Sequence, residues 1–243
     1  MLYNQLNIFY KLEGMIDYMN KANQISESIE LGVLLAVSGG MMDAYSYIMR
    51  DEVFANAQTG NMLLFGVHIS QGEVHLAMRY LFPILAFIVG IMTSDIVRTK
   101  FNKRLHWRQN AVLVEAVILA FVGFIPLNMN LLPNSLTSLA CGIQVESFRK
   151  IHGRGIATTM CIGNLRSATQ NMWDYIYKHD KKNFRNSILY FGVISCFVLG
   201  AIIGNICIKY IQEKTIIISA VLLFVAFMLM FVDREKGKET LAI

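Results

Sequence analysis

Apolar positions in this chain fall into long runs, with the polar positions gathered between them. The runs cover about 31–49, 80–97, 111–127, 136–148, 188–208 and 215–232. Lipid offers no hydrogen bonds, so each run predicts a helix that satisfies its own backbone. The run 136–148 is short unless the preceding loop contributes to it. A further apolar run, 62–69, is too short to span a bilayer alone. It follows a small, polar stretch, Ala55-Asn56-Ala57-Gln58-Thr59-Gly60-Asn61.

That stretch has a degenerate copy, Thr158-Thr159-Met160-Cys161-Ile162-Gly163-Asn164, displaced by 103 residues. At the same displacement Gly39 meets Gly142, Asp43 meets Glu146 and Tyr45 meets Phe148. At 110 residues Phe87 meets Phe197 and Gly90 meets Gly200; at 104, Glu115-Ala116-Val117 meets Ser219-Ala220-Val221. Three runs per half therefore correspond in order, the signature of a duplication. The expected segments are an N-terminal lead-in (1–28), a first membrane repeat (29–128), a second membrane repeat (129–232) and a tail (233–243).

Composition strengthens the membrane assignment. Charged residues make up 16% of the 243 and apolar residues 55%, and mean hydropathy is +0.46. Soluble domains carry roughly 25% charge. The net charge of +5 does not point to nucleic acid, because Lys and Arg sit between the apolar runs, as they do in membrane-protein loops. The first 28 residues lack the basic region and apolar core of a cleavable signal. Cys141, Cys161, Cys196 and Cys207 have no C-x-x-C spacing and the five histidines no ligand spacing, so neither metal nor cofactor is expected.

Charge also orients the repeats. Three spans per half require the second copy to be inverted in the membrane. The first inter-span connection carries two basic residues, Arg50 and Arg79. Its counterpart carries eight: Arg149, Lys150, Arg154, Arg166, Lys178, Lys181, Lys182 and Arg185. The positive-inside rule puts the first outside and the second in the cytoplasm, with the cluster Arg98, Lys100, Lys103, Arg104 and Arg108 and both termini also inside. The predicted fold is an all-α integral membrane protein. It has about six transmembrane helices as two inverted three-helix repeats, each with a re-entrant Gly-Asn element. If those elements span instead, the count becomes eight and the repeats are parallel.

Three stretches carry a family resemblance: Ser38-Gly39-Gly40-Met41-Met42-Asp43-Ala44-Tyr45, Phe54-Ala55-Asn56-Ala57-Gln58-Thr59-Gly60-Asn61, and Ala157-Thr158-Thr159-Met160-Cys161-Ile162-Gly163-Asn164-Leu165-Arg166-Ser167. With these the chain resembles the YoaK-like family of bacterial multi-pass membrane proteins, a domain of unknown function, over roughly residues 28 to 232. Ile162 departs from the Thr-Gly-Asn reading usual there. The resemblance implies a multi-pass bacterial membrane protein and supplies no substrate or catalytic residues.

The residues themselves suggest chemistry. Inverted repeats with broken elements near mid-membrane are a recurring transporter plan. The start of a short helix exposes free N–H groups and a partial positive charge, suited to an anionic or polar solute. Candidate binding groups are Asn56, Gln58, Thr59, Gly60 and Asn61 with Thr158, Thr159, Gly163 and Asn164, and Arg166 to hold an anion. The structural alternative makes the Gly-Asn pairs tight turns and Arg166 a surface charge. Asp43, Glu115 and Glu146 are candidates for coupling or gating, since acids in apolar spans are costly. Asp43 and Glu146 alternatively brace the re-entrant loops. Gly200-x-x-x-Gly204 and Gly90-x-x-x-Ser94 allow close helix packing inside the bundle, with a homodimer seam as the second use.

The expected function is a small secondary transporter or channel-like permease for a small polar or anionic solute. The alternatives are a membrane scaffold or sensor, or an intramembrane enzyme. The enzyme is disfavoured for want of H-E-x-x-H, G-x-S-x-G or a Ser/His pair. Inversion has a direct test. A single cysteine at residue 72 should react with impermeant thiol reagents from outside the cell and one at residue 180 only from inside. Reaction of both from one side would refute inversion.

Overall fold

The computed structural model describes residues 27–101 and 107–231. The lead-in up to residue 26, the tail from 232, and Lys103 and Arg104 of the basic cluster lie outside the described residues. The first half holds α1 (Ile29–Met49), α2 (Gln58–Ser70), α3 (Val74–Phe101) and α4 (Trp107–Val122). The second holds α5 (Leu131–Ser147), the strands β1 (Lys150–Ile151) and β2 (Arg154–Gly155), α6 (Cys161–Lys178), α7 (Lys181–Ile211) and α8 (Thr215–Leu229). A 3-10 turn, Gln212–Lys214, joins the last two helices.

Local chemistry accounts for the element starts. Ser28 Oγ accepts the Leu31 N–H at 3.2 Å and caps α1; Asp180 Oδ1 accepts the Lys182 N–H at 2.9 Å and caps α7. The hairpin departs from the all-α expectation. His152 and Gly153 both have positive φ (51° and 72°), the backbone of a tight two-residue turn, so Lys150 pairs with Gly155 and Ile151 with Arg154.

Three stretches are long and apolar enough to cross a membrane: Ile29–Met49, Val74–Lys100 and Lys181–Leu229, the last containing both α7 and α8. The other runs read as spans form shorter helices, α4 with 16 residues, α5 with 17 and α8 with 15. At 1.5 Å per residue these reach about 22–26 Å, less than the roughly 30 Å of a hydrocarbon core. Helices α3 and α7 begin earlier than their apolar runs, at Val74 and Lys181, because polar residues continue the helix beyond the lipid-compatible part.

The surface is apolar over stretches where a soluble protein's would be polar, and the core buries polar side chains among apolar ones. Phe82, Leu85, Val89 and Met92 of α3, Val198, Leu199 and Ile202 of α7, and Val221, Phe224 and Val225 of α8 are exposed. Ser38, Asn56, Asn61, Ser138, Gln144, Thr158 and Asn164 are buried. An apolar surface of this extent over a polar interior belongs in lipid, and the chain is a membrane protein.

Helix pairing is reciprocal between the halves. The first helix of each half lies along the long helix of the other: α1 on α7, and α5 on α3. Each also meets the last helix of the other half, α1 with α8 and α5 with α4, while α4 and α8 pack together. Helices α2 and α6 pack on the long helix that follows them, α3 and α7.

Glycines set the closest crossings. A Cβ on Gly40 would collide with the Phe197 carbonyl oxygen, and one on Gly200 with the Val37 carbonyl oxygen. Gly142 against the Phe87 carbonyl, and Gly90 against the Leu139 carbonyl, repeat this. The matching positions, Val37 with Leu139 and Gly40 with Gly142, lie 102 residues apart, so the helices match one residue out of step with the 103 of the Gly-Asn stretches. Gly40, not Gly39, is thus the counterpart of Gly142, and Asp43 is not the positional twin of Glu146. Gly200, Gly204 and Gly90 are all used inside the chain. Ser94 joins the second crossing through its Oγ, 2.9 Å from that of Ser147.

Candidate functional site: two loops meeting at Gly39

The loops before α2 and α6 are held by the same device. Asn61 Nδ2 donates to the Phe54 carbonyl at 2.8 Å and its Oδ1 accepts the Phe54 N–H at 3.0 Å. Asn164 Nδ2 donates to the Ala157 carbonyl, seven residues back as in the first half, at 2.6 Å. Both asparagines are buried, and each sits in the first turn of its helix. The Gly-Asn pairs are therefore helix starts rather than tight turns. Gly60 abuts the Phe54 ring, which a Cβ would meet at 2.8 Å, whereas Gly163 has open space around it.

Both loops converge on one face of α1. Asn56 Nδ2 donates to the Gly39 carbonyl at 3.0 Å, and its backbone N–H donates to Asp43 Oδ1 at 2.7 Å. The amides of Ala55 and Ala57 flank the same carboxylate. Asp43 thus braces the first loop, with its carboxyl group beside the start of α2, a position that favours negative charge. From the other half, Thr159 lies so close to Gly39 that an added Cβ would come within 2.6 Å of its methyl carbon. Gly39 is the eleventh of the 21 residues of α1, the middle of a helix of membrane-spanning length.

Helix α5 links the two loops. Ser138 Oγ donates to the Ala55 carbonyl at 3.2 Å and lies 3.3 Å from Gln58 Nε2. Gln58 Nε2 also donates to Ala55 O at 2.8 Å, and its Oε1 accepts from Asn61 at 2.9 Å. One end further on, Gln144 Nε2 donates to the Leu35 carbonyl at 3.2 Å and to Thr158 Oγ1 at 3.1 Å. Leu35, Gly39 and Asp43 follow at i, i+4 and i+8, so these contacts run along one side of α1 for about 12 Å. Three buried oxygens there have no hydrogen-bond partner among the described residues: Asn56 Oδ1, Gln144 Oε1 and Thr159 Oγ1.

The remaining candidates lie elsewhere. Thr59 and Arg166 are exposed. Glu146 is ion-paired to Arg149, and Arg98 Nη1 approaches it at 3.8 Å; both arginines also reach Asp95, at 2.7 and 3.2 Å. It belongs to a charge cluster and does not brace a loop. Glu115 is fully buried in α4, and neither of its oxygens has a hydrogen-bond partner among the described residues. Cys141 of α5 lies within electrostatic reach of both Asp43 and Glu115.

Three important side chains were not legible as such. Ser138 and Gln144 are polar positions inside an apolar helix, a signal that was available. Arg50 was counted as a loop charge, yet it is fully buried. Its guanidinium donates to Tyr45 Oη at 2.9 Å, the Ile125 carbonyl at 2.6 Å, the Pro126 carbonyl at 3.0 Å and Asn130 Oδ1 at 3.1 Å. Its own carbonyl accepts from Asn134 Nδ2 at 2.7 Å. This fork ties the end of α1 to the segment joining the two halves.

Two recesses open elsewhere. One of about 180 Å³ lies between Ile29 and Val33 of α1, the β hairpin and Ile188–Val193 of α7; another of about 610 Å³ is lined by Asp51, His75, Arg79, Asn128 and Asn130.

The family described as "Protein of unknown function (DUF1275)" matches residues 31–229. The UPF0700 transmembrane protein YoaK of Bacillus subtilis (strain 168) is 28% identical over 182 residues, 70% of this chain and 79% of that protein. No solved structure matches. The chain belongs to the DUF1275, YoaK-like family.

The Arg50 fork predicts that Arg50→Lys, which keeps the charge and loses the planar set of donors, destabilises the fold by roughly 1–3 kcal/mol. Arg79→Lys, at a half-exposed position, should leave it unchanged. Thermal unfolding in detergent measures both.

Proposed function

We propose that this member of the family is a small secondary transporter or channel-like permease for a small polar solute, with its site where the two loops meet at Gly39. One observation carries the reading: two loops from different halves reach the midpoint of a helix of membrane-spanning length and leave polar atoms there without partners among the described residues. Buried polar groups are ordinarily paired, and polar groups inside a membrane protein mark solute pathways.

On this reading the chain is two inverted three-span repeats in the bacterial cell membrane, with both termini cytoplasmic and the six spans formed by α1, α3, α4, α5, α7 and α8. The reciprocal pairing of α1 with α7 and α5 with α3 supports it. So does the corresponding bond in each loop from the asparagine amide to the carbonyl seven residues back, Asn61 to Phe54 and Asn164 to Ala157. Burial of Arg50 sharpens the charge argument, because it leaves Arg79 as the solvated basic residue of the first connection, while none of the eight in the second is buried. Helices α2 and α6 are the re-entrant elements: α2, with 13 residues, reaches about 20 Å, and α6, though 18 residues long, is too polar to count among the stretches fit to cross a membrane. Asn61, Asn164, Gln58 and Asp43 shape the site, Asn56, Thr158 and Thr159 face the solute, and Glu115 is the coupling residue.

A scaffold without transport is the second reading. It is favoured by the number of loop hydrogen bonds closed within the protein, those of Asn61, Asn164 and Gln58 among them. No catalytic step is assigned to these residues.

Solute uptake into proteoliposomes separates the two. The wild-type chain should take up at least one of a panel of small cations, anions and neutral polar solutes faster than empty vesicles. Gly39→Ala, whose methyl enters the space between the loops, should cut that uptake at least tenfold. Gly66→Ala, which meets open space, should not. No uptake across the whole panel would overturn the permease and leave the scaffold.

A further inference from the structure

The site at Gly39 carries a chemical preference, and this step rests on the reading of that site as a solute path. The orientation of its two amides is set by their neighbours. Asn56 must turn its NH₂ toward the Gly39 carbonyl, and Gln144 must turn its NH₂ toward the Leu35 carbonyl. In each case the opposite end is a carbonyl oxygen, and both oxygens are buried with no hydrogen-bond partner among the described residues. The third such atom, Thr159 Oγ1, is also an oxygen. Between Leu35 and Asp43 on this face of α1, the unused groups among the described residues are therefore two amide oxygens and one hydroxyl.

The place an anion would take is already filled at the first loop. Asp43 accepts the Asn56 N–H at 2.7 Å and is flanked by the Ala55 and Ala57 amides. Of the basic side chains that flank the second loop, Arg166 is exposed and Arg154 belongs to the β hairpin, paired across it with Ile151. An entering anion would meet the Asp43 carboxyl group and two unpaired amide oxygens, which repel it, and only the Thr159 hydroxyl among the unused groups could donate to it. Hard cations prefer neutral and anionic oxygens, and carbonyl oxygens replace the hydration shell of alkali ions in selective pores. Acceptors spread along roughly two turns of α1 suit passage from one to the next.

We infer that the solute of this site is a compact monovalent cation, an alkali-metal ion or a small ammonium, bound by Asn56 Oδ1, Gln144 Oε1 and Thr159 Oγ1 with Asp43 supplying negative charge. The Thr159 hydroxyl is the most telling position, because no contact of the fold depends on its oxygen.

Binding of sodium, rubidium and methylammonium, and of chloride, nitrate and phosphate, is measured on the purified full chain in detergent by radiolabel or calorimetry. Uptake is followed in parallel. At least one of the three cations should bind saturably. Thr159→Val, which keeps the shape and removes the oxygen, should weaken binding at least tenfold at unchanged melting temperature, and Thr159→Ser should restore it. Thr159→Ala serves if the valine variant does not fold. Which cation binds separates an alkali ion from an ammonium. Absence of saturable cation binding, or cation binding indifferent to Thr159, overturns the inference. Anion binding or uptake that depends on Thr159 overturns it too while leaving the permease intact. Thr159-dependent cation binding without uptake supports it and overturns the permease.

Discussion

The architecture depends on how closely α1 and α5 approach the long helices of the opposite half. At Gly40 and Gly200, and again at Gly142 and Gly90, the backbones meet with no room for a methyl group. Lipid tails are as apolar as leucine, so in a bilayer the gain from close packing replaces much of the hydrophobic drive between helices. The crossing at Gly40 holds the middle of α1 against α7, and the adjacent Gly39 presents an open backbone to the two loops. A side chain at Gly39 would meet Thr159, and a displaced α1 would remove the Gly39 carbonyl from Asn56.

With that crossing in place, the polar interior becomes a hydrogen-bond problem. Each loop must satisfy its backbone in a low-dielectric setting, and each does so through the asparagine at the start of the following helix. Asp43 completes the first loop. The second has no acid in the same role, because Glu146 is committed to Arg149 and Arg98 at the edge of the bundle. The two halves are thus alike in helix pairing and loop clamps and unlike in charge. That asymmetry underlies the cation preference inferred above.

Much of this was readable from residue patterns. The short run after Gly60-Asn61 forms a helix too short to span, and the copy at Gly163-Asn164 starts α6 in the same way. The spacing of Gly200 with Gly204 and of Gly90 with Ser94 marks packing positions, and those glycines do pack inside the bundle; Gly142 carries no such mark in its own sequence. The first helices pack one residue out of the register that the chemical likeness of Asp43 and Glu146 suggests, because the crossing glycines, Gly40 and Gly142, set it. Arg50 was hidden because its neighbours, Asp51 and Glu52, make it look like part of a solvated loop. Only the tertiary placement of the Ile125 and Pro126 carbonyls explains its burial. The roles of Ser138 and Gln144 depend on which helix lies opposite them, and periodicity within one segment carries no such information.

The account stands or falls on the meeting of the two loops at Gly39. Chemical cross-linking tests it most directly, in a cysteine-free background carrying Asn56→Cys and Thr159→Cys, treated in native membranes with a short bifunctional thiosulfonate. The account predicts efficient intramolecular cross-linking of this pair, and none when Thr159→Cys is combined with a cysteine at the exposed position Thr59. Failure of the Asn56/Thr159 pair to cross-link in protein whose single cysteines both react would contradict it.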